Sequence, residues 1–219
     1  MANETRSTMR TRVQAIVGTA IDNTINQGLK DGCRKLQELY NWRFMEASTT
    51  LSISEGATTF TLPDDFKCEL NPEISDYEGS GYRRLQKIIK DGIDKRDLSD
   101  TARPLQYRIW EDEGKFIIES DDNFSFPIEY YKYFSDLDSD TAPSDSDFQN
   151  FLNKVHEAVE YYALARCYER LQNFDVARYY QNDDSRFSKG KFELKFLDLK
   201  HEDIDIALAN ADLQMSYPG

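Results

Sequence analysis

Between Leu36 and Phe66 the spacing of apolar residues changes within a few positions from that of a helix to that of a strand, which rules out an all-helical or all-strand chain. Leu36, Leu39 and Tyr40 continue a helical stripe, whereas Leu51/Ile53 and Phe60/Leu62 alternate with Ser, Thr and Glu. That period of two is what a half-buried strand requires. Ser54-Glu55-Gly56-Ala57 separates the two alternating runs, and Gly56 can supply the positive φ of a tight turn. The pattern therefore predicts a β-hairpin closed by Leu62-Pro63-Asp64-Asp65-Phe66. Pro63, with its φ fixed and no N–H, suits a strand end.

Upstream of the switch the chain reads as helix. Val13, Ile16, Val17, Ala20, Ile21, Ile25, Leu29, Cys33, Leu36 and Tyr40 recur at helical spacing, on one face of a helix or of two helices in line. Gly18, Gly28 and Gly32 each cost about 1 kcal/mol relative to Ala inside a helix, so a break is expected near Asn26 to Gly32. A lone helix gains little from propensity; this stripe must be buried by a segment elsewhere in the chain.

Downstream, Asn71-Pro72 and Gly79-Ser80-Gly81 are turn signals. Tyr82 to Ile89 reads as a strand or short helix and Asp91 to Leu98 as a short polar helix. Leu105, Tyr107 and Ile109 alternate, as do Phe116 and Ile118, across Glu111-Asp112-Glu113-Gly114-Lys115, a second hairpin. A strand follows with Phe124, Phe126, Ile128 and Tyr130 on one face and Tyr131 and Tyr133 on the other; its Pro127 marks an edge position or a bulge. Ser135 to Asp147 is a linker by composition, ending in the capping-box pattern Ser146-x-x-Gln149. A helix through Phe148, Phe151, Leu152, Val155, Val159 and Tyr162 is expected from there to about Leu171. Asn173 can cap a second one through Val176, Ala177 and Tyr180, ending near Asn182-Asp183-Asp184-Ser185. Beyond Lys189, apolar residues among lysines have no obvious place in that core, so the segment either packs back on its own chain or waits for a partner.

Charge narrows the function. With 27 Lys and Arg against 40 Asp and Glu, the net charge is −13, which argues against a surface that grips duplex phosphates. The 13 Tyr and 13 Phe supply enough apolar material for a core, so the chain is not of the disordered class. Cys33, Cys68 and Cys167 are odd in number and form no CxxC, so reduced thiols are expected. MANETRSTMR lacks an apolar signal core and no apolar run nears the ~20 residues of a membrane span; neither secretion by that route nor a membrane partner is expected.

Four arrangements in the sequence bear on chemistry. His156 and His201 are two imidazoles in different elements, and His156 is separated from Cys167 by roughly 16 Å of helix rise, too far for a nucleophile pair. Asp136, Asp138, Asp140 and Asp147 have the odd spacing of a calcium loop, but Thr141 stands where the sharp turn needs Gly. Asp64/Asp65 and Glu111/Asp112/Glu113 could be imagined as a glycosidase pair, yet carboxylates at turns are ordinary in so acidic a chain. GxSxG, GxxxxGK[ST], GxGxxG and HExxH are all absent. No catalytic residue, metal ligand or cofactor site is expected. Tyr161-Tyr162-Ala163, Ala165 and Ala177-Arg178-Tyr179-Tyr180 have the flavour of a tetratricopeptide hairpin, but a second copy about 34 residues away is lacking.

The order of these features resembles the head-to-tail adaptor (connector) proteins of tailed bacteriophages. The resemblance rests on Trp42-Arg43-Phe44 closing a helix, the Thr-rich run ending Leu62-Pro63-Asp64-Asp65-Phe66, then Tyr82-Arg83-Arg84-Leu85 and Pro104-Leu105-Gln106-Tyr107-Arg108-Ile109. It continues in Tyr130-Tyr131-Lys132 and Asp175-Val176-Ala177-Arg178-Tyr179-Tyr180, spanning Ile21 to Phe187. Trp42, Phe44, Pro63 and Phe66 are its structural signature. Arg103 replaces a Gly common before the Pro, and Ser120-Asp121-Asp122 replaces a Pro-containing turn.

The resemblance implies an α+β fold: a helical bundle from the N- and C-terminal segments, an inserted small antiparallel β-sheet subdomain and an extended C-terminal tail. The corresponding divisions are 1–45, 46–134, an acidic linker 135–147, a helical hairpin 148–188 and a tail 189–219. It further implies a structural protein of the virion neck, made in the host cytoplasm. Its partners would be the portal protein, a tail or stopper protein and sister copies in a ring, usually of twelve, with DNA passing through unbound. Phe192, Phe196, Leu197, Leu199, Ile204, Ile206, Leu208, Met215 and Tyr217 would form a strap ordering on the portal. The competing readings are a cytosolic interaction module of helical-repeat type using Val155 to Tyr180, and an acidic hydrolase using Asp64 and Glu113.

Overall fold

The computed structural model describes residues 3–53, 59–70, 73–75, 82–84, 86–87, 106–110, 115–117, 124–135, 137–181 and 190–215. Of these, residues 53, 59, 73–127 and 205–215 are described by backbone alone. The chain divides into two compact units, Met1–Met45 with Phe134–Gly219, and Glu46–Tyr133. Helices fill the first and strands the second, giving the mixed α+β class that the change of period demands. No helix among the described residues is long and apolar enough to cross a membrane.

The helical unit contains α1 (Arg6–Val17), α2 (Asp22–Leu39), a 3₁₀ turn (Arg43–Met45), α3 (Ser146–Arg170), α4 (Phe174–Gln181) and α5 (Lys191–Met215). Thr5 and Thr8 form a reciprocal capping box at the start of α1, each hydroxyl accepting the other's backbone N–H, at 3.1 and 2.9 Å. The helix ends at Gly18, whose φ of 82° no side chain favours. The break in the N-terminal stripe therefore falls at Gly18 and not, as expected, between Asn26 and Gly32. Ile16 is left 53% exposed there. Gly28 and Gly32 lie inside α2 because α3 crosses at that point: a Cβ on Gly28 would stand 2.9 Å from the Ala163 Cα, and one on Gly32 3.1 Å from the Tyr162 Cβ. Their helix penalty is offset by a close approach of two backbones.

Ile25, Leu29, Cys33 and Leu36 of α2 are buried with Phe151, Leu152, Val155 and Val159 of α3 in the core of this unit. The cap of α3 is Asp145 and not Ser146: its carboxylate accepts the N–H groups of Asp147 and Phe148 at 2.8 and 3.1 Å. Gln149, freed from the expected box, donates to the Glu4 carbonyl at 3.0 Å and pins the start of the chain to α3. Asn173 caps α4 as its sequence implies, accepting from Val176.

Phe134, just before the segment Ser135 to Asp147 that reads as a linker, and Leu137 within it belong to this core. Phe134 stacks on Phe148 with centroids 5.0 Å apart, its N–H donates to the Gln37 side-chain oxygen at 2.8 Å, and Leu137 is buried. The intervening acids meet cations from the other end of the chain: Asp138 pairs with Lys30, and Asp140 with Arg6 and Arg10. Hydrogen bonds from Lys30 and Arg6 hold these two carboxyls below their ordinary value.

The strand unit holds β1 (Glu46–Ile53), β2 (Thr59–Thr61), β3 (Phe66–Glu69), β4 (Glu73–Ser75), β5 (Tyr82–Arg84), β6 (Gln86–Lys87), β7 (Gln106–Trp110), β8 (Lys115–Ile117) and β9 (Phe124–Lys132). β1 and β2 do not form the expected hairpin. β1 pairs antiparallel with β9, from Glu46 opposite Tyr131 to Ile53 opposite Phe124, while β2 pairs with β8. Alternation specifies which residues face inward but not which strand lies alongside. The β7–β8 hairpin is present, with Ile109 opposite Phe116; its turn, 111–114, lies outside the described residues, as do 54–58, 79–81 and the expected helix 91–98. Of the expected strand or short helix Tyr82 to Ile89, Tyr82–Arg84 and Gln86–Lys87 are strand, as β5 and β6, and 85, 88 and 89 lie outside the described residues.

β9 is the central strand of the order β1-β9-β3, although Pro127 marked it as an edge or a bulge. The two facts agree locally, because β3 reaches β9 only from Lys132 to Tyr130 and leaves Pro127 with β1 as its registered neighbour. The bulge lies in β3, between Phe66 and Cys68. Ile128 and Tyr130 face inward with Leu51, as the alternation requires. The Tyr130 ring stacks on Phe66, its hydroxyl donates to Asp65 at 3.0 Å, and burial pushes its pKa up to about 12. Pro63 sits before β3 in a turn in which the Phe66 N–H donates to its carbonyl at 3.0 Å.

Candidate functional site

Residues of the kind that do chemistry are dispersed. Among the described residues no group of three or more His, Cys, Asp or Glu is arranged to hold a metal ion. His156 is half-buried with its Nδ1 3.0 Å from the Asn153 carbonyl, and burial alone pushes the Cys167 thiol up to about 11. Asp65 is engaged by Tyr130, and Glu111 to Glu113 lie outside the described residues. A recess lined by Trp42, Phe44, Lys154, Leu199, Glu202 and Asp203 has a cavity volume of about 20 Å³, space for about one water molecule.

What the helical unit does offer is surface. α5 is a 25-residue helix over the segment expected to be an extended tail, and its first half packs back on its own chain. Phe192 and Leu199 are buried, Phe192 edge-on to Tyr162 at 5.4 Å and Phe196 edge-on to Trp42 at 6.1 Å. Asp203 lies buried, 3.5 Å from Arg43, and Lys200 sits over the Tyr40 ring. Trp42 anchors this arrangement, being almost wholly buried with its indole N–H donating to the Leu36 carbonyl at 2.9 Å. Phe44 lines the recess beside it.

Phe192, Phe196, Leu199 and Asp203 thus form an inward row on α5. Leu194, Leu197, His201 and Ile204 form a second row at steps of three, four and three, on another face of the helix. Leu194 and Ile204 are 50% and 37% exposed, and His201 is exposed. Of the residues assigned to partner contact, Phe192 and Leu199 are taken up by the bundle. Ile206, Leu208 and Met215 belong to the α5 backbone with undescribed side chains, and Tyr217 lies outside the described residues.

A second surface lies at the corner between α3 and α4, within the span Val155 to Tyr180 that the helical-repeat reading assigned to partner binding. Leu171, Phe174 and Tyr179 are 50%, 58% and 56% exposed. The corner is set by Gln172, a non-glycine residue at φ 57°, a backbone state that costs roughly 1–2 kcal/mol. Behind it Tyr180 stacks on Tyr168 at 5.8 Å and touches Tyr161 and Tyr179. The Lys191 ammonium stands 5.2–5.9 Å from three of these rings, and a hydrogen bond with Tyr179 raises its pKa. Arg170 and Arg178 are exposed and have no acidic partner among the described residues, whereas Arg6, Arg10, Arg12, Arg43 and Arg166 are all paired. The signal that marks this corner in the sequence is a pair of large apolar residues, Leu171 and Phe174, flanking a helix-capping Asn173, where turns are ordinarily polar.

Exposed aromatics, with arginines that have no acidic partner among the described residues, are the usual composition of a protein contact. Comparison with curated proteins gives no match. The model of the SU10 adaptor protein family matches residues 3–194, from just before α1 into the first turn of α5, and the chain belongs to that family of phage head-to-tail adaptors, which are structural proteins and not enzymes.

Proposed function

We propose that this chain is a virion structural protein of the phage neck that assembles into a ring beneath the portal, extends the DNA channel and receives the tail or stopper protein. The observation that carries this reading is the extent of the family match, which takes in both the helical and the strand units. Physical features are consistent with it. A net charge of −13 lets DNA pass without adhering to the channel. The exposed apolar residues on α5 and at the α3–α4 corner are surface that a monomer has no reason to keep. Contact with the portal falls to the C-terminal end, Ile206, Leu208, Met215 and Tyr217, because Phe192 and Leu199 are committed to the bundle. The helical-repeat alternative lacks support: α3 and α4 make one hairpin, with no second copy stacked on it among the described residues.

Electron microscopy of the purified chain mixed with portal rings of its own phage tests the proposal. A stoichiometric ring capping one end of the portal is expected, dodecameric if the family habit holds. Absence of binding from low to high salt overturns it.

A further inference from the structure

Among the described residues three polar side chains are buried, Gln37, Gln149 and Asp203, and each sits where distant parts of the chain meet. Gln37 accepts the Phe134 N–H, where the chain returns from the strand unit, and Gln149 donates to the Glu4 carbonyl. Asp203 is the only carboxylate of the three, and it serves the other crossing, where the chain leaves for β1. It is 6% exposed and lies 3.5 Å from the Arg43 Nε. The Tyr40 hydroxyl also donates to it; burial first, then the charge of Asp203 and this hydrogen bond, raise the Tyr40 pKa. Tyr40 ends α2 with its ring 4.8 Å from Trp42, and the Trp42 carbonyl accepts the Met45 N–H at 2.8 Å. The residue after Met45 opens β1.

The other inward residues of α5, Phe192, Phe196 and Leu199, are apolar and tolerate small shifts along the bundle. Asp203 does not, because a buried acid parted from its cation and its donor is costly. It gives α5 one register, and that register exists only while the Tyr40–Met45 turn keeps its shape. Ile206 is three residues further along α5, about 4.5 Å of rise. Asp203 itself lies beyond the family match, which ends at residue 194.

We propose that Asp203 is a positioning residue that couples the C-terminal end of α5 to the Tyr40–Met45 turn, so that a protein bound to α5 beyond Ile204 tightens the turn from which β1 starts. Two places that bias one element with a single permitted register are what such a coupling requires. The identity of the bound protein, the portal, rests on the reading above.

Hydrogen exchange of the full chain, read by mass spectrometry with and without portal rings of its own phage, tests the coupling. In the free chain Asp203→Asn should speed exchange of the Trp42–Met45 amides by about fivefold or more, with the α2 amides around Leu29 unchanged. Lys154→Met, which removes the partner of the exposed Glu202 on the same helix, should leave the turn as in the parent. Portal rings should slow the turn amides of the parent by about fivefold or more and those of Asp203→Asn by less than about twofold. Arg43→Met, which breaks the pair from the side of the turn, should likewise abolish the response to portal. A free Asp203→Asn chain whose turn exchanges at the parent's rate, or an equal speeding by Lys154→Met, overturns the coupling without reference to the portal. Faster exchange throughout α2 and α3 overturns it too, since Asp203 would then only add stability. Portal binding that leaves the parent's turn unchanged overturns the coupling and keeps the ring reading. A parent chain that never binds portal overturns the ring reading, and the free-chain result still decides the role of Asp203.

Discussion

Replacing Gly28 with alanine sets helix propensity against backbone approach, and the structure decides which wins. In an isolated helix the change would stabilise by about 1 kcal/mol. Here the new methyl would stand 2.9 Å from the Ala163 Cα and 3.2 Å from its Cβ. A Cα cannot rotate out of the way as a side-chain end can, so α2 and α3 must separate over their contact. Overpacking of this kind costs about 1–3 kcal/mol, so a net destabilisation of about 1 kcal/mol is expected. For a chain of this size that corresponds to a fall in Tm of roughly 2–4 °C. Thermal unfolding followed at 222 nm, with Asn23→Ala on the exposed face of α2 as the control, measures it. The control should be neutral or slightly stabilising. A Gly28→Ala protein that melts higher than the parent would show that α2 and α3 are not in close backbone contact and that Gly28 is only a weak helix position.

Two further outcomes test the straps around that core. Asp145→Ala should cost about 1 kcal/mol as a lost N-cap and Ser146→Ala a few tenths at most, as chemical denaturation would reveal; equal effects would move the cap back to Ser146. The carboxyls of Asp138 and Asp140 are held below the ordinary 3.8 by Lys30 and Arg6. The stability they contribute is therefore present above 3.8 and is lost as pH falls through their folded values. Urea midpoints of the parent should drop across that range more steeply than those of an Asp138→Asn/Asp140→Asn variant, and identical pH profiles would refute the strap.

Element types were readable because they depend on local spacing. The stripe Phe148 to Tyr162 became α3, and the alternation at Phe124 to Tyr130 became β9. Quantities that depend on distant residues were not. Gly18 and Gly28 look alike in sequence, but one ends a helix and the other admits a neighbouring one, and only Ala163 tells them apart. The segment around Leu137 reads as an acidic linker because its cations, Arg6, Arg10 and Lys30, are more than a hundred residues away. α5 was obscured by its own design: two apolar rows offset around one helix, superposed along the chain, look like irregular spacing. Leu197 and Ile204, assigned to partner contact from the sequence, lie together on the outer row of α5. The exposed residues of the α3–α4 corner were not singled out within Val155 to Tyr180, because exposure at Leu171 and Phe174 is a property of what does not pack on them.

The helical unit is assembled from both termini, with residues 46–133 synthesised between its halves. When α2 leaves the ribosome, the face it presents to Tyr162 and Ala163 has no counterpart. Translation at roughly 5–20 residues per second leaves that face bare for on the order of ten seconds. During that interval α1 and α2 are an amphipathic hairpin without its cover.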